Sequence, residues 1–324
     1  MNILFLRRCG ADTIAAPRHY HAFEKEVARH VNAEWAGLGW PLYRKNESFM
    51  DTVKRVMPDV DWIIDRERDD RLPRRRAFMV GAYLSDLHAR GAFGISNLRD
   101  YIDSVNNVGY DALFMRYIKI EGTEADPEIF LDELEPAVYF LPWSVDVDDF
   151  KPTEKTVDVS FIGSVGKHYP LRRRIWSLLP MVCAEHGANL LIHNRPRGSS
   201  SFSDGSEFPD AYFKSRYSEA LAQTRIFIFG SSKFKYPLLK YFEGMASGCC
   251  VLADEPTCAC ELGFEDGVNY VKIDESNWTE KLSHCLDHPE RAEEIGRNAR
   301  KLVSTLHSHE ARVADFLTIL DSFI

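Results

Sequence analysis

The segment Lys240–Asp254, KYFEGMASGCCVLAD, sets one carboxylate, Glu243, inside an otherwise apolar helix that runs directly into a strand of small residues. Pro237 suits a first helical position, where its missing N–H costs nothing. Gly248 is a left-handed stop, and Cys249–Ala253 is an apolar run of buried-strand type. A carboxylate between Phe242 and Met245 is not explained by packing. It has the chemistry to accept two hydrogen bonds from vicinal hydroxyls such as those of a ribose. The plainer alternative is a helix-surface pair with Lys240, worth a few tenths of a kcal/mol, roughly. Just upstream, GSSKFK (Gly230–Lys235) puts Ser232, Lys235 and their neighbours at the start of the same helix. Hydroxyls, ammonium groups and exposed N–H donors at one helix end suit a diphosphate.

A second candidate is FIGSVGKHYPLRRR, Phe161–Arg174. Strand, Gly-x-x-Gly turn and helix in that order aim free backbone N–H groups at a ligand, and a helix N-terminus carries roughly half a positive charge. Gly163 and Gly166 permit close approach; Ser164 lies between them, and Lys167, Arg172, Arg173 and Arg174 add cations. A tight turn with a solvated basic helix explains the same residues. Neither G-x-G-x-x-G nor a Walker lysine pattern is present, so dehydrogenase and P-loop chemistry lose support.

The N-terminal half offers titratable groups near strand ends. AYLSDLHARG (Ala82–Gly91) carries Asp86 and His88 beyond a buried strand, where α/β sheets open onto a cleft. A capping aspartate and a surface histidine account for them equally. HYH (His19–His21), with Cys9 and Gly10 after the first strand, supplies further candidates against the alternative of solvated histidines. RERDDRLPRRR (Arg66–Arg76) has six arginines and three acids; it reads as a solvated loop with internal pairs, or as a site for an anionic acceptor. Trp35, Trp40 and Tyr43, set among Gly37, Gly39 and Pro41, form either a sugar-stacking wall or a plug at the core edge.

Apolar runs alternating with amphipathic stretches predict an α/β chain with parallel sheets. Strands are expected at Ile3–Leu6, Trp62–Ile64, Phe78–Leu84, Ala112–Tyr117 and Ala137–Leu141, with helices at Tyr20–Val31 and Phe49–Val56 and a short one within Thr123–Glu135. PWSVDVDDFKPTEKTV, residues 142–157, breaks the pattern and reads as the domain boundary. Beyond it come strand Val157–Ile162, helix Leu171–Cys183, strand Asn189–His193, helix Asp210–Gln223 and strand Arg225–Phe229. The opening segment follows, then helices at Asn277–His288, Pro289–Leu306 and Ala311–Phe323. RPRGSSSFSDGSEFP, residues 195–209, reads as a mobile loop. Two α/β halves joined by one linker imply a central cleft.

On these residues the chain resembles the GT-B-fold glycosyltransferases, especially the retaining group-1 branch and its spore-maturation-protein-like (CgeB-like) relatives. FEGMASGCCVLAD is similar to their glutamate–alanine–methionine–alanine–x–glycine segment. ELGFEDGVNYV (Glu261–Val271), HPERAEEIGRNARKLV (His288–Val303) and the linker YFLPWSVDVDDFKP (Tyr139–Pro152) extend the likeness over residues 139–306. The resemblance implies two Rossmann-like domains: residues 1–145 binding an acceptor and 146–306 binding a nucleotide sugar, with a C-terminal helix in 307–324 packing back on the first. It also implies that Glu243 holds the donor ribose, that Gly163, Ser164 and Lys167 lie at the diphosphate, and that Asp86 or His88 faces the transferred sugar; His21 is a candidate base. The family often places a second glutamate eight positions before the first; here that position is Lys235, suited to neutralising a leaving diphosphate.

The implied reaction is metal-independent transfer from a UDP-sugar to a hydroxyl of a glycan, a lipid-linked or another acceptor, with retention. Rival readings are a nucleotide-sugar epimerase, a non-catalytic nucleotide-sugar binder, and a transferase acting on modified DNA bases. Charge weighs against the last. The chain carries a net −9, and residues 1–150 hold 19 Lys/Arg against 26 Asp/Glu, a poor phosphate-backbone binder. No cofactor beyond the donor substrate is expected. The opening MNILFLRRCG lacks a signal-peptide layout and no apolar run reaches the roughly 20 residues that span a bilayer, so a cytoplasmic chain, membrane-peripheral at most, is expected. Seven cysteines, an odd number, favour reduced thiols; Cys258-x-Cys260 reads as small buried residues more than as a zinc pair.

Overall fold

Short runs of β-branched, aromatic and small apolar residues build two parallel sheets, with helices supplying the crossovers that parallel pairing requires. The computed structural model describes residues 1–7, 15–65, 72–73, 76–84, 98–117, 132–193 and 215–324. The chain divides into two units: Met1–Pro142 with Val313–Ile324, and Trp143–Arg312.

In the first unit six strands, β1 (Asn2–Leu6), β2 (Asn32–Ala36), β3 (Trp62–Asp65), β4 (Met79–Leu84), β5 (Ala112–Met115) and β6 (Ala137–Phe140), pair in the order β2-β1-β3-β4-β5-β6. All pairings are parallel. Successive strand residues point to opposite faces, so both faces are read off one strand. Leu4, Ile63, Val80 and Leu113 join Val53 of α2 (Phe49–Val56) and Ile102 and Val105 of α3 (Leu98–Val108) in one core. On the other face Phe114 meets Phe316, which also packs on Phe23 of α1 (Ala15–Val27). With both faces covered, these strands read as unbroken apolar runs.

In the second unit β7 (Val157–Ile162), β8 (Leu190–His193), β9 (Thr224–Ile228), β10 (Cys250–Ala253) and β11 (Val271–Lys272) form a parallel sheet ordered β11-β10-β9-β7-β8. Helices α4 (Pro170–Glu185), α5 (Ser215–Ala222), α6 (Leu239–Ala246), α7 (Trp278–Asp287) and α8 (Pro289–Leu306) flank it, and α9 (His309–Asp321) follows. Ile175, Leu179, Trp278, Leu282 and Ile295 cover one face, against Val159, Phe161, Ile226 and Leu252. On the other face, α6 comes so close that a Cβ on Gly244 would lie 2.7 Å from Phe227 and 2.9 Å from Val251. The glycine lets the Glu243 helix ride directly on the strands.

Both sheets share a device. Their first strand is flanked on one side by the second strand and on the other by the third, so the chain leaves in opposite directions at that point. Crevices outside the carboxyl ends of such strands are where open α/β sheets bind ligands. They fall between β1 and β3 in the first unit and between β7 and β9 in the second.

The α/β class and the parallel sheets expected from the sequence are present, and the elements differ in detail. β2 and α3 are additions. β2 is an edge strand with Asn32 and Glu34 in it, so its apolar signal is weak. α1 ends at Val27, four residues earlier than expected, in a turn over residues 28–30. Helix α6 begins at Leu239, two residues beyond Pro237. Most of Thr123–Glu135 lies outside the described residues.

Candidate functional site

Three strand ends of the second unit converge at its crevice. Past β7 come Gly163 and Ser164; past β9, Gly230, Ser231 and Ser232; past β10, Asp254. Arg172 ties the first two loops together. Its Nε donates to the Gly230 carbonyl at 2.5 Å and its Nη1 to the Ser164 carbonyl at 3.4 Å, while the guanidinium lies 4.0 Å over the Tyr169 ring. Burial lowers its pKa from the usual arginine value. Expected as a phosphate cation, Arg172 sits at 3% exposure and serves these two carbonyls, a role in holding the loops. The Lys233 N–H, donated to the His168 carbonyl at 2.8 Å, joins the loops a second time.

Glu243 lies on α6 at 4% exposure. Its Oε2 accepts a hydrogen bond from the Tyr217 hydroxyl of α5 at 2.8 Å. Burial first, then Glu243, pushes the Tyr217 pKa well above its ordinary value, so this hydroxyl stays a donor. Lys240, one turn earlier, swings to the end of β7: its Nζ donates to the Ile162 carbonyl at 2.6 Å and stands 5.2 Å over the Tyr217 ring. A Cβ on Gly163 would lie 3.4 Å from Lys240 Cε. Gly163, Tyr217, Lys240 and Glu243 are thus one cluster. Gly166 differs, since a Cβ there would meet open space. Lys167 is exposed.

On the other flank of α6 a second cluster forms around Asp254, which is 2% exposed. Its carboxylate accepts the Ser231 N–H at 2.5 Å, the Ser231 hydroxyl at 2.7 Å and Lys235 Nζ at 2.6 Å. The Tyr241 hydroxyl donates to the Asp254 carbonyl at 2.5 Å. Burial first, then Asp254, holds the Tyr241 pKa well above the ordinary tyrosine value. Lys235 has φ of 56°, a left-handed backbone that aims its side chain inward at Asp254. A cavity of about 330 Å³ opens here, lined by Ser231, Ser232, Lys233, Lys235, Asp254 and residues 274–276. Ligand pockets begin at about this size. Glu243 is not among its lining residues, so the two clusters are distinct and share one helix. The α6 N-cap, Leu238, makes no side-chain capping bond.

Among residues expected from sequence, Gly163, Ser164, Arg172, Ser232, Lys235 and Glu243 come together. Asp86 and His88 lie outside the described residues, as do the side chain of His19 and all of Cys9 and Gly10. His21 is buried, not solvated, packed 5.6 Å from Trp35 and 5.2 Å from Trp40. Arg76, from the arginine-rich segment, bonds Asp111 at 2.6 Å and the Gly109 carbonyl. Residues 66–71 and 74–75 are not described. Sequence reasoning missed Tyr217 and Asp254. Asp254 carried a signal, a charged residue directly after a fully apolar strand; Tyr217 carried none.

Residues 181–318 match the glycosyl transferase-like family. No curated protein sequence matches the chain. Among solved structures, a sucrose-phosphate synthase from Thermosynechococcus elongatus aligns with a TM-score of 0.64 and 9% identity, over 100% of this chain and 99% of that one. Anabaena HepE, in complex with UDP and glucose, aligns with a TM-score of 0.64 and 14% identity, over 99% and 100%. A glycosyltransferase from Rickettsia africae aligns with a TM-score of 0.62 and 12% identity, over 99% and 98%. The fold is of the GT-B type. The matched segment, which contains Tyr217, Lys235, Glu243 and Asp254, marks the chain as a glycosyltransferase-type enzyme.

Proposed function

We propose that this enzyme transfers a sugar from a UDP-sugar to an acceptor hydroxyl, binding the donor in the second unit. One observation carries the reading. A buried carboxylate, a clamped glycine loop, two serines and two lysines converge on an uncapped helix start at the carboxyl ends of β7, β9 and β10. Glu243, held by Tyr217, is the acceptor for the ribose hydroxyls. The Gly163–Ser164 turn, Lys240 and the start of α6 face the diphosphate. The Asp254–Lys235 pair and Ser232 line the space for the sugar, so the carboxylate absent at position 235 is supplied from the end of β10. The presence of UDP and glucose in HepE, a fold neighbour, supports uridine as the base.

In the reaction the acceptor oxygen bonds to the anomeric carbon, the bond from that carbon to the diphosphate breaks, and the acceptor proton is released. Negative charge grows on the departing UDP, where the α6 dipole and Lys240 stabilise it. With charge supplied this way, activity is expected to persist in EDTA. The reading includes retention at the anomeric carbon, which rests on the family likeness; NMR of the first-formed product reads it directly.

A thermal-shift series tests the donor assignment. UDP and UDP-glucose at about 100 times Kd stabilise the fold by about 2.7 kcal/mol, and ADP and GDP do not. A shift with GDP or ADP but not UDP removes the uridine assignment, and no shift with any nucleotide removes the reading.

A further inference from the structure

At the corresponding crevice of the first unit, between the ends of β1 and β3, the residues are of a different kind. A small cavity there is lined by Arg7, Tyr20, Glu24, Ile64, Asp65 and Tyr83. Glu24, on α1, is 0% exposed. Its Oε2 accepts bonds from Arg7 Nε and Trp35 Nε1, each at 2.8 Å. Its other oxygen, Oε1, has no hydrogen-bond partner among the described residues, nor has the hydroxyl of Tyr83, which is 4% exposed. A buried polar group left without a partner costs about 1–3 kcal/mol, so two at one cavity point to a ligand that completes them.

We propose that this cavity is a socket for a single hydroxyl group of a sugar ligand, with Glu24 Oε1 and the Tyr83 hydroxyl as its two partners. Size and charge select that chemistry. The space is about 10 Å³, room for one oxygen atom. An anion entering it meets Glu24 and Asp65. A cation meets Arg7, and Arg116, whose guanidinium stands 5.3 Å over the Tyr83 ring. When Glu24 is ionised, a neutral hydroxyl donates to its Oε1 while accepting from Tyr83, satisfying both orphaned atoms with one group. Burial and the neighbouring Glu24 push the Tyr83 pKa well above its ordinary value, keeping its proton available to donate. Two aromatic side chains, Tyr20 and Tyr83, line the socket. Tyr20 packs 4.9 Å from Tyr83, and Trp35, bonded to Glu24, stacks 5.5 Å from Phe5 and 5.8 Å from Trp40. Aromatic walls around a polar floor suit a pyranose, which presents C–H faces and equatorial hydroxyls. That the sugar is the acceptor rests on the transferase reading; the socket itself rests on geometry.

The test is calorimetry and tryptophan fluorescence on the full chain. The probes are methyl glycosides of glucose, galactose, mannose and N-acetylglucosamine, with UDP titrated in parallel. At least one glycoside is expected to bind saturably, and Tyr83→Phe and Glu24→Gln each to weaken it fivefold or more while UDP affinity is unchanged. A crystal of that complex places a sugar oxygen between the two side chains. UDP binding without any glycoside binding overturns the socket and leaves the donor reading standing. Binding unaffected by both variants, or a crystal holding only water in the cavity, overturns it too. Failure of UDP and glycosides alike overturns both.

Discussion

The two crevices have the same strand order and opposite polar bookkeeping. In the second unit the charged groups satisfy one another: Asp254 takes three donors from Ser231 and Lys235, and Glu243 takes Tyr217. Arg172 locks the loops that present them. In the first unit a fully buried carboxyl keeps one oxygen unmatched, among the described residues, at the cavity where a tyrosine hydroxyl is unmatched too. The first arrangement is preorganised around fixed charge, as suits the ribose and sugar hydroxyls of a nucleotide-sugar donor. The second stores an unmet hydrogen-bonding demand that a neutral hydroxyl answers.

The contrast is broken most directly through pH. Burial pushes the Glu24 pKa up to about 7 from 4.5, against the lowering influence of Arg7 and Trp35. The folded state therefore holds a proton between those values that the unfolded chain has released. Its stabilising effect is complete below pH 4.5 and is lost as pH rises through about 7, a drift of about 3 kcal/mol in all. Urea titrations across that range should show the slope in the parent and its flattening in Glu24→Gln; an equal slope in both removes the contrast.

Asp254→Ala comes next. It strands the buried Ser231 N–H and frees Lys235, at an expected cost of about 2–3 kcal/mol in stability. Chemical denaturation reads it, and a loss under 1 kcal/mol, roughly, would show that the second crevice does not depend on its internal pairing. Glu243→Ala should weaken UDP by about 2 kcal/mol, roughly thirtyfold, with the fold intact. Unchanged affinity in a folded variant would sink the ribose assignment. The smallest expected change is Tyr217→Phe, about 1 kcal/mol in UDP affinity, because it removes only the hydroxyl that orients Glu243. An effect equal to that of Glu243→Ala would mean Tyr217 touches the nucleotide itself.

Much of the second unit is legible from local pattern. Val157–Ile162 and Pro289–Leu306 have the bounds expected from apolar runs and proline punctuation. Glu243 stands out because a carboxylate in an apolar helix violates a local rule. β2 and Tyr217 were not legible, since an edge strand carries polar residues and a tyrosine on a helix reads as ordinary core. Arg172 was misjudged from its neighbours: three adjacent arginines look alike in sequence, and burial alone separates the one that binds carbonyls.

The amino-acid sequence by itself determined the α/β class and most of the element order and singled out Glu243, because periodicity, turn residues and a misplaced charge are local properties. Only the tertiary structure decided that Lys235 pairs with Asp254, that Arg172 clamps two loops, and that Glu24 and Tyr83 meet at one buried cavity. Lys235 and Asp254, Arg172 and Gly230, and Glu24 and Tyr83 lie 19, 58 and 59 positions apart. Strand order brings such residues together, and burial then sets what each polar group must do.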